Sequence, residues 1–180
     1  MITFIALLRG INITGHKIIK MADLKSLFED LRFTNVQTYI QSGNVIFDSK
    51  NSDTKSIKTK LVKKIKAEYG FDVEVIIKTN TDLKNVLDNN PFIKKKKDTE
   101  RLYVTFLSEK PSPANAVKLN EINYSPEEFI LDDNNIYLYF PSGYGKAKLN
   151  NNFFENKLKV SASTRNLNTI SKLYELSKKG

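Results

Sequence analysis

The order in which the hydrophobic period changes along the first 80 residues leaves few folds open. Ile2–Leu8 is a continuous apolar run of strand length, as expected for a strand covered on both faces. A polar, glycine-bearing loop follows from Arg9 to about Lys20. Met21, Leu24, Leu27, Phe28 and Leu31 then recur at helical spacing, with Asp23, Lys25, Glu29 and Asp30 on the other side. Val36–Gln41 and Asn44–Asp48 are β-rich runs separated by Ser42-Gly43, which reads as a two-residue hairpin turn. Ile57, Leu61 and Ile65 mark a second helix, and Val73–Lys78 a fourth strand. The result is one βαββαβ unit.

The same order starts again after a connecting segment, Thr81–Glu100, that holds a short helix around Leu83, Val86 and Leu87. Leu102–Leu107 reads as a strand, Ala114–Ile122 as a helix opened by Pro113, and Phe129–Leu131 with Ile136–Phe140 as a hairpin around Asp133-Asn134. A helix is expected over Leu149–Leu158 and a last strand over Val160–Ser163. Thr164 is then expected to cap a terminal helix carrying Leu167, Ile170, Leu173 and Leu176. The fold expected is therefore α+β: two ferredoxin-like halves, residues 1–80 and 101–180, joined by a connecting helix and linker over residues 81–100. In each half the helices pack on one face of an antiparallel sheet. Short connections and right-handed crossovers give the strand order four-one-three-two.

That order converts sequence positions into neighbours. In the first half, the loop leaving strand one and the hairpin between strands two and three share one edge of the sheet. Arg9, Gly10, Asn12 and Lys17 are thereby placed beside Gln41, Ser42, Gly43 and Asn44, which combine cations, amides and a hydroxyl with glycines that let a ligand approach the backbone. In the second half, strands three and four end together, so Lys146 in Ser142-Gly143-Tyr144-Gly145-Lys146 is grouped with Thr164, Arg165 and Asn166. Both segments lead into helices, whose amino ends favour an anion. Each group also has a plainer reading, in which its side chains cap helices and satisfy strand ends.

Composition narrows the chemistry. The chain has no Cys, which excludes disulfides, thiol redox chemistry and thiolate metal sites and fits a reducing cytosol. His16 is the only histidine, no carboxylate cluster has metal-ligand spacing, and no Gly-x-Ser-x-Gly elbow is present. Gly-Tyr-Gly-Lys is not a phosphate-binding P-loop. Neither a metal nor a cofactor is called for, and no residue is assigned a catalytic role. No apolar run approaches the roughly 20 residues needed to cross a bilayer, so a cytoplasmic protein without a membrane partner is expected.

The formal charge of +9 points towards polyanions. It is drawn from Lys, however, with only four arginines, Arg9, Arg32, Arg101 and Arg165, and Arg is the better reader of phosphates and bases. A nucleic-acid-binding alternative would use these lysines with Tyr103, Tyr137 and Tyr139 as a stacking platform. No segment matches the aromatic-rich RNA-recognition pattern, and packing between the halves is the competing role for the tyrosines. A protein-interaction module is the third alternative.

Three segments carry a resemblance: Ala6-Leu7-Leu8-Arg9-Gly10-Ile11-Asn12, Thr38-Tyr39-Ile40-Gln41-Ser42-Gly43-Asn44-Val45 and Thr164-Arg165-Asn166. In this order they resemble a bacterial family catalogued only as a domain of unknown function, number sixteen-ninety-seven. The resemblance implies a two-part ferredoxin-like fold without an established activity. Thr14, Lys20 and Leu167 depart from the Gly, Pro and Trp usual in that family. The segments most like the family are the two polar groups already placed by strand order. A small anionic ligand held there is the leading expectation.

Overall fold

The computed structural model describes residues 1–178. The first sheet contains β1 (Ile2–Leu8), β2 (Thr34–Tyr39), β3 (Asn44–Ser49) and β4 (Val75–Thr79), in the order β2-β3-β1-β4 with every pair antiparallel. Helices α1 (Met21–Asp30) and α2 (Thr54–Tyr69) are its crossovers. Helices α3 (Asn80–Asn89) and α4 (Pro91–Lys94) follow. The second sheet contains β5 (Leu102–Leu107), β6 (Glu128–Asp132), β7 (Asn135–Tyr139) and β8 (Ala162–Asn166), in the order β6-β7-β5-β8, again fully antiparallel. Its crossovers are α5 (Pro113–Asn120) and α6 (Asn151–Leu158), and α7 (Leu167–Ser177) closes the chain. This is the expected α+β architecture of two ferredoxin-like halves. The compact units are Met1–Lys84 with the chain from Lys172 onward, and Asn85–Ser171.

Local chemistry explains the element ends. Asp53 caps α2 by accepting from the Lys55 amide, and Gly70 ends the helix at φ +77°, a conformation glycine adopts without Cβ strain. Ser112 and Asn150 cap α5 and α6 by accepting from Asn115 and Phe153. In the first unit Phe28 and Phe33 pack on Phe47 with ring centroids 5.1 and 4.7 Å apart, within a core that also holds Phe4, Leu24, Leu61 and Ile65. Each such side chain contributes about 1.5–3 kcal/mol by leaving water. The second unit has its own core of Ile136, Leu138, Phe140, Phe154 and Leu158. No helix among the described residues is long and apolar enough to cross a membrane.

Several boundaries shift by a few residues from the sequence expectation, and two of the differences bear on the site. The β2–β3 connection is a four-residue turn, Ile40–Gly43, because Tyr39 pairs with Asn44 and both Ile40 (φ +49°) and Gly43 (φ +79°) turn left-handed. Thr164 does not cap the terminal helix: β8 runs through it to Asn166, and the Asn166 side chain accepts from the Thr169 amide at 2.7 Å. Tertiary pairing with β5 extends the strand past a residue whose local preference is to start a helix.

Candidate functional site

Three connections meet at the edge where β1 ends. Leu8 donates its amide to the Gly43 carbonyl at 2.8 Å, and Arg9 donates to the Glu74 carbonyl at 2.9 Å, tying the loop after β1 both to the hairpin and to the segment entering β4. Asn12, at φ +55°, fastens the rest. Its Nδ2 donates to the carbonyls of Ile19 and Gln41, both at 2.9 Å, while its Oδ1 accepts from the Ile19 amide at 2.8 Å. Both ends of this amide are thus committed to backbone. Asn44 is fully buried and donates to the Tyr39 carbonyl at 3.1 Å and to Ser42 Oγ at 2.9 Å, holding the turn in shape.

Gly43 is required where it stands. A Cβ there would lie 2.7 Å from Ile11 Cδ1 and 2.8 Å from Leu8 Cβ, and the positive φ adds strain for any other residue. Gly10 also has positive φ, but open space surrounds its missing Cβ. Arg9 is half-buried, whereas Gln41, Ser42 and Lys17 are exposed. Lys17 reaches across the edge to donate to the Asp72 carbonyl at 2.6 Å. The residues grouped by strand order are therefore neighbours, divided between those that build the edge, Asn12, Gly43 and Asn44, and those that present polar groups on it, Arg9, Lys17, Gln41 and Ser42.

The second group comes apart. Successive residues of a strand face opposite sides. Thr164 shares its hydrogen bond with Thr105 at 2.7 Å and donates to Asn151 Oδ1 at 2.6 Å, on the side covered by α6. Arg165 lies on the other side, 9% exposed, and donates to Ser163 Oγ at 3.0 Å and to the Thr164 carbonyl at 2.9 Å. Burial brings its guanidinium down to about 10 from the ordinary 12.5, so it still carries its charge at neutral pH. Asn166 is occupied as a helix cap. Lys146 stands exposed in a single helical turn, Tyr144–Lys146. The nearby amides of Lys148 and Leu149 already hold an anion from the chain itself: Glu127 accepts from Lys148 at 3.0 and 3.2 Å and from Leu149 at 3.1 Å. Glu127 has no motif spacing that would have marked it in the sequence.

The tyrosines do not form one platform. Tyr103 pairs with Leu138, and so lies on the opposite side of the sheet from Tyr137 and Tyr139. It packs against Tyr144 at 5.2 Å and Phe140 at 5.4 Å. Tyr137 is 2% exposed, and burial, helped by the nearby Asp132 carboxylate, pushes its hydroxyl up to about 12. Tyr139 is covered by Lys97, whose Nζ sits 4.5 Å from the ring centre. No group of three or more His, Cys, Asp or Glu placed to hold a metal occurs among the described residues.

Residues 1–137 match the model of a family described as protein of unknown function (DUF1697). Among solved structures, the chain is similar to one described as a conserved bacterial protein from Streptococcus pneumoniae, with 22% sequence identity, a TM-score of 0.77 and coverage of 98% of each chain. At that identity the likeness concerns the fold alone. No curated protein matches the chain.

Proposed function

This chain belongs to the DUF1697 family, which brings no established activity with it, and we propose that it binds a small anionic ligand at the edge built from the Arg9–Lys17 loop and the Gln41–Asn44 turn. One observation carries the reading: part of the backbone of this edge is held in conformations that its residues do not prefer. Thr14 and Lys17 in the loop and Ile40 in the turn have φ between +47° and +49°. For β-branched residues such as Thr14 and Ile40 the left-handed region is a genuine outlier, and it costs roughly 1–2 kcal/mol per residue. Strain of this kind persists only where surrounding bonds enforce it, and it gathers where a binding surface must be preorganised. Here the Asn12 and Asn44 amides enforce it.

The roles follow from position. Arg9 and Lys17 supply positive charge, Gln41 and Ser42 supply neutral donors, and Asn12, Gly43 and Asn44 hold the frame. A basic, polar edge of this size suits a phosphate or carboxylate on a small body. Nucleic-acid binding has weaker support, because stacking needs exposed rings on one face and Tyr137 is buried.

A thermal-shift screen of inorganic phosphate, nucleotides, phosphosugars and small carboxylates tests the reading. A ligand at 100 times its Kd stabilises the fold by about 2.7 kcal/mol, or roughly 5–10 °C for a chain of this size. The shift is expected to vanish in Arg9→Ala, and a screen in which no compound moves the transition would sink the idea.

A further inference from the structure

At the other end of the first sheet, where β1 and β2 begin and β3 ends, a cavity of about 480 Å³ opens between the end of α1 and the side of α2. Volumes of roughly 300–1,000 Å³ are usual for small-molecule sites. Its apolar wall is made by Leu31, Phe33 and Ile57, with Phe33 8% and Ile57 0% exposed. Three cations line it as well: Arg32, Lys50 and Lys60. None of the three has an ion-pair partner among the described residues, whereas Lys58, Lys64 and Lys66 of the same helix α2 are paired with Glu74, with Asp30 and Glu68, and with Asp72. One carboxylate also lines the cavity. Asp48 accepts from Thr3 Oγ1 at 2.6 Å and from Asn35 Nδ2 at 2.7 Å; both donors are neutral, so its charge counts against the three cations, which outnumber it.

Ser49 adds a directed group. It is 5% exposed, lines the cavity and accepts from the Asn51 amide at 3.0 Å, which leaves its own proton to donate. Arg32 occupies a position where another residue would serve the backbone better. It follows the C-cap of α1 at φ +64°, the left-handed site at which helices favour glycine or asparagine. An arginine there adds a charge beside the cavity against the conformational preference of the chain.

We propose that this cavity is a second ligand site, which takes a phosphomonoester carried on an apolar body. The body rests on Leu31 and the accessible edge of Phe33, backed by the buried Ile57, and the phosphate meets Arg32, Lys50, Lys60 and the Ser49 hydroxyl. Three cations against the one Asp48 carboxylate leave a surplus of two positive charges, which matches a phosphate dianion better than a ligand carboxylate, and the apolar wall separates this ligand from inorganic phosphate. The site is independent of the loop edge, since it lies a full strand length away, about 20 Å along β1.

Phenyl phosphate is a direct probe, followed by amide chemical shifts of the full chain. Saturable shifts are expected at Arg32–Thr34 and Ser49–Asn51, with inorganic phosphate and phenol each binding roughly tenfold more weakly. Arg32→Gly should weaken phenyl phosphate roughly tenfold while keeping or raising the melting temperature, because glycine fits the left-handed position. Lys60→Gln, on the exposed side of a helix, should weaken it similarly, and Arg9→Ala should leave it unchanged. The proposal is overturned if those amides do not move in the millimolar range, or if Arg32→Gly and Lys60→Gln both bind as the parent does. It is equally overturned if Arg9→Ala removes the effect, which would assign the probe to the loop edge.

Discussion

The two units share a topology and gather polar residues at opposite edges of it, with different outcomes. In the first, the edge beside the end of β1 is assembled by side-chain amides that bond to backbone, and its charged and hydroxyl groups are displayed on the surface that results. In the second, the polar residues at the opposite edge, where β7 and β8 end, are taken into the fold. Glu127 fills the amides ahead of α6, Asn166 caps α7, Thr164 bonds beneath α6, and Arg165 is buried. Strand order brings polar residues to an edge in both units. What separates the two edges is exposure: Lys17, Gln41 and Ser42 are exposed in the first, whereas Arg165 is buried and Thr164 half-buried in the second.

Glycine substitutions should break this comparison most strongly. Gly43→Ala forces a Cβ into Ile11 and Leu8 at positive φ, and we expect it to destabilise the chain by about 3 kcal/mol, from overpacking and left-handed strain together. Gly145→Ala, in the loop that follows β7 of the second unit, meets open space and should change stability by less than about 0.5 kcal/mol. Denaturant titration of both variants measures the contrast.

The framing amides come next. Asn12→Ala removes three bonds to backbone groups and should cost about 2–3 kcal/mol, against about 1 kcal/mol for Asn150→Ala, which loses one helix cap. Equal losses would mean that the two loops are held alike.

A pH effect follows, and the buried Tyr137 of the second unit carries it. Tyr137 titrates near 12 when folded and near 10 when unfolded. Below pH 10 it is protonated in both states, and its contribution is fully present. Between 10 and 12 only the unfolded chain releases the proton, so stability falls as pH rises, by about 2 kcal/mol. Tyr137→Phe should lose less stability than the parent between pH 9 and about 11.5, as read by urea unfolding at each pH. Smallest of all, Lys146→Ala should change stability by less than about 0.5 kcal/mol, since its side chain is exposed.

Much of this was legible in the sequence because it depends on period and order. Alternation of helical spacing with β-rich runs sufficed for both sheets, and the strand order then placed Arg9 and Asn12 beside Gln41–Asn44. What escaped depends on tertiary partners. Thr164 has the chemistry of a helix cap, but pairing with Thr105 draws it into β8. Tyr103 looked like a neighbour of Tyr137 and Tyr139, yet register rather than proximity in sequence decides the face, and it lies on the other one. Glu127 meets Lys148 across 21 positions and carries no motif. Arg32, Lys50 and Lys60 come from a helix end, a strand end and a helix side, so only folding gathers them around one cavity.

The central claim, that the first unit's edge receives an anion and the second unit's does not, is tested most directly by amide chemical shifts during titration with whichever anion raises the melting temperature. Saturable changes confined to Arg9–Lys17 and Gln41–Asn44, and abolished in Arg9→Ala, are the expected result. Changes centred on Ser142–Lys146 and Thr164–Asn166, or changes that persist in Arg9→Ala, would contradict it.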